Sequence, residues 1–262
     1  MTQAPTTPPH NPEQNNDGHE LRMGLFEHLA ELRDRLLKAM LALVVGTVIG
    51  FALADFSMGI LQGPFCEITQ NAEECRFQIL EPTGNVIVYF RVSLLVGGIL
   101  SIPVVTYQLL MFVLPGLTKR ERRMVLMAIP AITGLFLIGV LFAWFVLTPT
   151  ALNFLSSFWE TRTYTEWTAD GYLSFVTALV FWMGVAFETP LIFFVLSLIG
   201  IVNAQALRQN WRVAVVGSAV AAAFITPTID PVNMFLVMGP LLALYVMSIG
   251  LVAIGTRISG TG

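Results

Sequence analysis

YLSFVTALVFWMGVAFETPLIFFVLSLI, residues 172–199, runs for 28 positions with one charged side chain, Glu188. A helix needs roughly 20 mostly apolar residues to cross a hydrocarbon core about 30 Å thick, and its backbone groups must be satisfied within the helix itself. A run of this length is therefore a membrane-spanning helix. Its glutamate is costly: a charge near the centre of a span is unfavourable by about 2.5–3.5 kcal/mol on insertion scales, so such a group faces water or a partner.

The rest of the chain extends the same pattern. With 55% hydrophobic and 12% charged residues and a mean hydropathy of +0.74, the 262 residues do not suit a water-facing globule. Further apolar runs at 36–56, 85–114, 124–147, 213–226 and 232–255 give an all-α integral membrane protein of six transmembrane helices within a membrane domain of residues 21–258. Pro103, with Gly97 and Gly98 before it, predicts a kink in the second span. Residues 57–84 read as a polar segment, and 148–170 as a polar loop with Trp159, Tyr164 and Trp167 as interfacial anchors. The fifth run is too short to cross upright and predicts, with the sixth, a thin hairpin. Residues 1–20 hold no apolar core and read as a disordered tail, and 259–262 as a short C-terminal tail. No basic segment followed by a short apolar core and a cleavage site begins the sequence, so the first span serves as its own insertion signal.

Charge sets the orientation. Arg22, Arg33, Arg35 and Lys38 precede span one, Lys119, Arg120, Arg122 and Arg123 join spans two and three, Arg208 and Arg212 join four and five, and Arg257 follows six. Only Arg76 and Arg162 fall in the opposite loops, with Arg91 near a membrane edge. The positive-inside rule makes the crowded side cytoplasmic, with both termini on it, for a multi-pass protein of the cell inner (plasma) membrane.

Four places could carry chemistry. The first is EHLAELRDR, residues 27–35, on an amphipathic helix with Leu25, Leu29, Leu32 and Leu36 on one face. Glu31 with Arg35 and Asp34 with Lys38 are acid-before-base pairs one turn apart, so an interfacial helix with internal ion pairs is the plainer reading. The second is KRERR, residues 119–123, one acid among four bases, which as a topogenic loop needs no other role. The third is Glu188, loosened from its helix by Pro190. The fourth is the turn TPTIDP, residues 226–231, where Asp before Pro is also ordinary helix-capping chemistry. Cys66 and Cys75 share one outer loop, where a disulfide is open to them in an oxidising compartment. His10, His19 and His28 form no ligand cluster, so no metal or other cofactor is expected. With no phosphate-cradling glycine loop, HExxH or nucleophile elbow, neither is an enzyme, and nothing points to nucleic acid.

In order and at matching spacing over about residues 25–258, EHLAELRDRL, YQLLMFVLPGLTKRERR, YLSFVTALVFWMGVAFETP and ITPTIDPV resemble the TatC family. This is the multi-span receptor subunit of the twin-arginine protein translocase. The resemblance implies a glove-like bundle with short helices five and six. It implies a cytoplasmic surface reading the twin-arginine signal peptide of folded cargo, with Glu31 and Glu121 as recognition carboxylates and Arg33, Phe112, Pro115 and Leu117 shaping the surface. Guanidinium forks pair bidentately with carboxylates, where lysine fits poorly. It implies proton-motive-force-driven export with single-span partners of the TatA and TatB type, contacting Glu188, Thr226, Asp230 and the position of Met234, where many relatives carry Gln, so that a polar contact there is either weakened or moved to Asn233. A homo-oligomer within the complex and bound membrane lipid are compatible with it. The alternative from another class is a proton-coupled secondary transporter using Glu188; the two halves of the chain share no repeated motif, which counts against it.

Overall fold

The computed structural model describes residues 25–69, 75, 77–113, 119–158, 167–198, 200–228 and 230–259. The tail at 1–20, Arg22, Arg76, Arg162, Trp159 and Tyr164 lie outside the described residues. Among these the architecture is helical, with one isolated β-bridge, Gln78 to Thr168. Helices α1 (Leu25–Ala52), α3 (Gly84–Val113), α4 (Lys119–Phe142), α6 (Ala169–Phe187) and α10 (Pro231–Ser259) carry the long apolar windows. Between them lie α2 (Ala54–Thr69), α5 (Thr148–Ser157), α7 (Thr189–Leu198), α8 (Ala204–Gln209) and α9 (Trp211–Ile225). Among the described residues, five stretches are long and apolar enough to span a membrane, and α9 is a shorter apolar helix.

Helices α1 and α3 pack antiparallel: Arg35 reaches Gln108, Ser101 donates to the Ala42 carbonyl at 2.9 Å, and Tyr89 donates to the Phe51 carbonyl at 2.8 Å. Their closeness is a matter of small residues. Gly46 and Gly50 on α1 face Ser93, Gly97 and Ser101 on α3, and a Cβ placed on Gly97 would stand 2.6 Å from the Thr47 backbone. Lipid offers no hydrophobic drive between helices, so backbone approach of this kind is what holds them together. Gly97 is thus a packing residue, and Pro103 sits inside a helix that continues on both sides.

The core is built around α6. Phe136 and Met183 are buried between α4 and α6, where Gly184 lets Phe136 approach. At the outer end, meaning the end away from the basic segments, Tyr172 is fully buried and donates to the Leu61 carbonyl at 2.8 Å. Phe65, Phe77 and Trp167 pack on its ring. Thr168 caps α6, its Oγ1 accepting from Gly171, while the Ala169 N–H donates to the Gln78 carbonyl.

Three expectations need correction. The polar segment at 57–84 is helical over its first part: Met58, Leu61 and Phe65 lie at helical spacing and pack into the core, a stripe that Gly59, Gly63 and Pro64 had masked. The loop expected at 148–170 begins with α5, because one π-helical turn, Ala143–Leu147, widens the ladder just before Pro149, which has no N–H to give. Thr148 closes that turn by donating to the Ala143 carbonyl at 2.8 Å. The last helix is not short: α10 has 29 residues. Only α9, with 15, is. Even so, Phe224 near the end of α9 meets Trp182 edge-on at 5.4 Å. Trp182 lies 13 residues into α6, roughly 20 Å from its outer end. The α9–α10 turn therefore stops well short of the outer ends of the other helices.

Candidate functional site

Because α1 and α3 are antiparallel and α4 follows α3, the start of α1, the end of α3 and the start of α4 meet at the basic end of the molecule. Glu31 lies there. Its Oε1 accepts from the Arg35 Nη2 at 3.1 Å, and Arg35 also donates through Nη1 to Gln108 on α3 at 3.4 Å. Both charged side chains are mostly covered, at 19% and 21% exposure. The second carboxylate oxygen, Oε2, is buried and has no hydrogen-bond partner among the described residues. An unpaired buried carboxylate oxygen costs stability unless a donor arrives, so the geometry leaves one acceptor lobe open for a cationic fork.

The neighbouring residues are less alike than their spacing suggested. Asp34 pairs with Arg33 at 3.0 Å and not with Lys38, and that pair is solvent-facing, with Arg33 72% exposed. Phe112 is half-buried near the end of α3. Pro115 and Leu117 lie outside the described residues. Glu121 falls on the first turn of α4, but its side chain lies outside them as well.

Glu188 marks a break in the fourth span. Helix α6 ends at Phe187, Glu188 caps it, and α7 starts at Thr189 with Pro190 buried behind it. The Glu188 carbonyl accepts from Leu191 and Ile192, and Thr106 on α3 donates to its carboxylate at 3.5 Å. Beside this carboxylate is a cavity of about 250 Å³ walled by Leu109, Ile132, Leu191 and Val195. The glutamate and Thr106 are thus the polar elements of an otherwise apolar hollow.

At the α9–α10 turn, Thr226 is buried and donates back to the Ala222 carbonyl at 2.8 Å. Asp230 caps α10: its carboxylate accepts from the Asn233 N–H at 2.7 Å and from the Asn233 side-chain amide at 3.0 Å, with Pro231 at the first helical position. Burial alone would raise the Asp230 carboxyl, but hydrogen bonding, with the Asn233 N–H and side-chain amide as the donors, outweighs it and holds the group below its usual range. Met234 packs against the core, and Asn233 is buried with its Oδ1 lacking a partner among the described residues. Spacing alone did not foretell that unpaired oxygen. Cys66 and Cys75 are joined by a disulfide, their Cα atoms 5.1 Å apart, which ties the end of α2 to the strand-like segment at Phe77 and Gln78.

The family model described as "Sec-independent protein translocase protein (TatC)" matches residues 27–240. The TatC protein of Synechocystis is 35% identical over 252 residues, covering 96% of this chain and 95% of that protein. The TatC protein of Xylanimonas cellulosilytica is 40% identical over 237 residues, covering 89% and 84%. The chloroplastic TATC of Oryza sativa is 36% identical over 223 residues, and the match spans only 61% of its length. Among solved structures, a crystal structure of the twin-arginine translocase receptor TatC superposes with a TM-score of 0.78 at 34% identity, covering 88% of this chain and all of that one.

Proposed function

The chain belongs to the TatC family of Sec-independent protein translocase proteins, and from that premise we propose that it is a receptor for twin-arginine signal peptides on folded cargo. As an integral membrane protein of this family it is a translocase component, not an enzyme. The observation that carries the reading is the open oxygen of Glu31. One lobe is held by Arg35, itself steadied by the Gln108 side-chain carbonyl, and the other is shielded from water with no donor among the described residues. An arriving guanidinium supplies two parallel N–H groups and stays charged when desolvated, whereas an ammonium presents a point charge and is more strongly hydrated. Glu121, on the adjacent start of α4, offers a second carboxylate for the second arginine, with Arg33, Phe112, Pro115 and Leu117 around the pair.

We infer from the basic ends that this surface faces the cytoplasm of a cell whose inner membrane holds all six spans, domain 21–258. Single-span partners of the TatA and TatB type then dock where α9 is short, near Thr226, Asp230 and Met234, with Glu188 as the polar contact inside the membrane and the proton-motive force driving export. The short outer reach of α9 supports this, since a neighbouring helix there covers groups that lipid serves poorly.

The test is crosslinking of the detergent-solubilised protein to a signal peptide carrying Arg-Arg or Lys-Lys. Strong preference for Arg-Arg, abolished in Glu31→Lys and in Glu121→Lys with the protein still inserted and folded, is the expected result. Equal crosslinking of both peptides, or unchanged binding in both variants, refutes the assignment; a small-solute transporter would not tell the peptides apart.

A further inference from the structure

Two cavities on the α3–α6 side adjoin at Ile87 and Arg91, which line both, and are taken together as one groove. The deeper part, about 640 Å³, is apolar and runs between α1, α3 and α6 along Leu43, Phe90, Leu94, Ala178 and Phe181. The outer part, about 400 Å³, is polar and is bordered by Gln78, Glu81, Thr168 and Asp170. Arg91 stands at the junction. Its Nη1 donates to the Asp170 carboxylate at 2.6 Å and to the Asp170 carbonyl at 3.0 Å. Its Nε and Nη2 have no partner among the described residues, and the side chain is 30% exposed. Neither the signal-reading surface nor Glu188 uses this groove.

Depth matches the polarity. Helix α3 has 30 residues, about 45 Å, which exceeds a hydrocarbon core of about 30 Å by some 15 Å. Arg91 lies seven residues in from Gly84, about 10 Å from the helix end, and so at the boundary between headgroups and acyl chains. Below it the groove is walled by side chains that suit an acyl chain. Above it are one cation with free N–H groups and two carboxylates, Asp170 already paired and Glu81 in no ion pair among the described residues.

We propose that this groove is a specific site for one zwitterionic phospholipid with a primary-ammonium head, a phosphatidylethanolamine, its phosphate on Arg91, its ammonium toward Glu81 and one acyl chain along α6. Charge selects the head. An anionic headgroup would meet Glu81 and Asp170 with no second cation to offset them. A choline head carries no N–H to donate to a carboxylate, while an ammonium has three. The guanidinium matches a phosphodiester through its unused N–H groups.

The experiment uses the full chain in nanodiscs of equal phosphatidylethanolamine, phosphatidylcholine and phosphatidylglycerol, released into the gas phase for native mass spectrometry. The wild type is expected to retain one phosphatidylethanolamine at least tenfold over either competitor. Arg91→Gln and Ala178→Trp, the second filling the apolar part without touching the ion pair, each lower retention at least tenfold. Glu81→Gln keeps a bound lipid but erases the preference for phosphatidylethanolamine over phosphatidylcholine. Equal retention of the three lipids overturns the proposal, as does a preference for phosphatidylglycerol. Unchanged retention in Ala178→Trp overturns it too, and that variant decides the matter if Arg91→Gln is unstable. Near-complete crosslinking of Ala178→Cys to a signal peptide or a partner helix in lipid-replete membranes would assign the groove to protein and overturn it as well.

Discussion

At the residue scale, three acids do three different jobs because their surroundings differ. Glu31 is half-satisfied among the described residues, which is why it is proposed as the acceptor for an incoming donor. Removing its charge while keeping its shape, Glu31→Gln, is expected to weaken binding of an Arg-Arg peptide about 10- to 100-fold, the size of one charge-assisted hydrogen bond of about 1.5–3 kcal/mol, with no loss of thermal stability. Fluorescence titration with labelled peptide measures it, and an unchanged affinity would remove Glu31 from the site. Asp230 is fully satisfied and acts on the fold. Its folded-state carboxyl lies below the usual range, so its contribution is complete above the unfolded value near 3.9 and is lost as pH falls through the lower folded value. Asp230→Ala is expected to cost about 1 kcal/mol at neutral pH. In detergent the gap in melting temperature between wild type and this variant closes on acidification below about pH 4; a gap that persists at pH 2 would show that the cap is not electrostatic. Glu188 is the remaining case, an acid on a helix break beside an apolar hollow. Glu188→Ala is expected to leave peptide affinity intact and to stop cargo export, as read by accumulation of exported reporter.

At the element scale, the α1–α3 contact is the clearest example of packing by small residues. Gly97→Leu would drive a side chain into the Thr47 backbone, and overpacking of this kind costs about 1–3 kcal/mol. A lower melting temperature and protease sensitivity between α1 and α3 are the expected signs, while Gly59→Leu, with open space around it, serves as the neutral control. How much of this was legible depends on which signal each element emits. The long spans announced themselves by hydropathy. Gly97 was visible but read as a kink residue, because a glycine looks the same in sequence whether it bends a helix or admits a neighbour; the Gly46 and Gly50 spacing on α1 was the missing half. Helix α2 was hidden because Gly59, Gly63 and Pro64 punctuate an amphipathic stripe of only three large residues, Met58, Leu61 and Phe65. Helix α5 was hidden behind Pro149, since a π-turn that absorbs a proline has no sequence mark of its own. Of the residues proposed to read the signal, Glu31 has a structural reason in its open oxygen, Glu121 stood out in sequence only as one acid among four bases, and Pro115 and Leu117 came from family resemblance alone.

At the scale of the whole molecule, the basic segments and Glu31, the carboxylate proposed to read a cationic signal, occupy the same end. Under that proposal Glu31 must attract a dication in the neighbourhood of Arg33, Arg35, Lys38, Arg123 and their fellows. Arg35 is neutralised by Glu31 itself and Arg33 by Asp34, so part of that repulsion is already cancelled within α1. Orientation can be tested apart from recognition. If the crowded side is cytoplasmic, single cysteines at Thr2→Cys and Gly262→Cys resist a membrane-impermeant maleimide in intact spheroplasts and react once the membrane is opened, whereas Thr163→Cys, between the third and fourth apolar runs, reacts from outside. The native pair does not interfere, since Cys66 and Cys75 are bonded to each other. Opposite labelling of Thr2→Cys and Gly262→Cys would mean an odd number of crossings, and α9, whose 15 residues extend only about 22 Å, would be the helix that fails to cross. Matched protection of both termini requires α9 to cross despite that length, with the bilayer thinned around the α9–α10 turn beside Trp182.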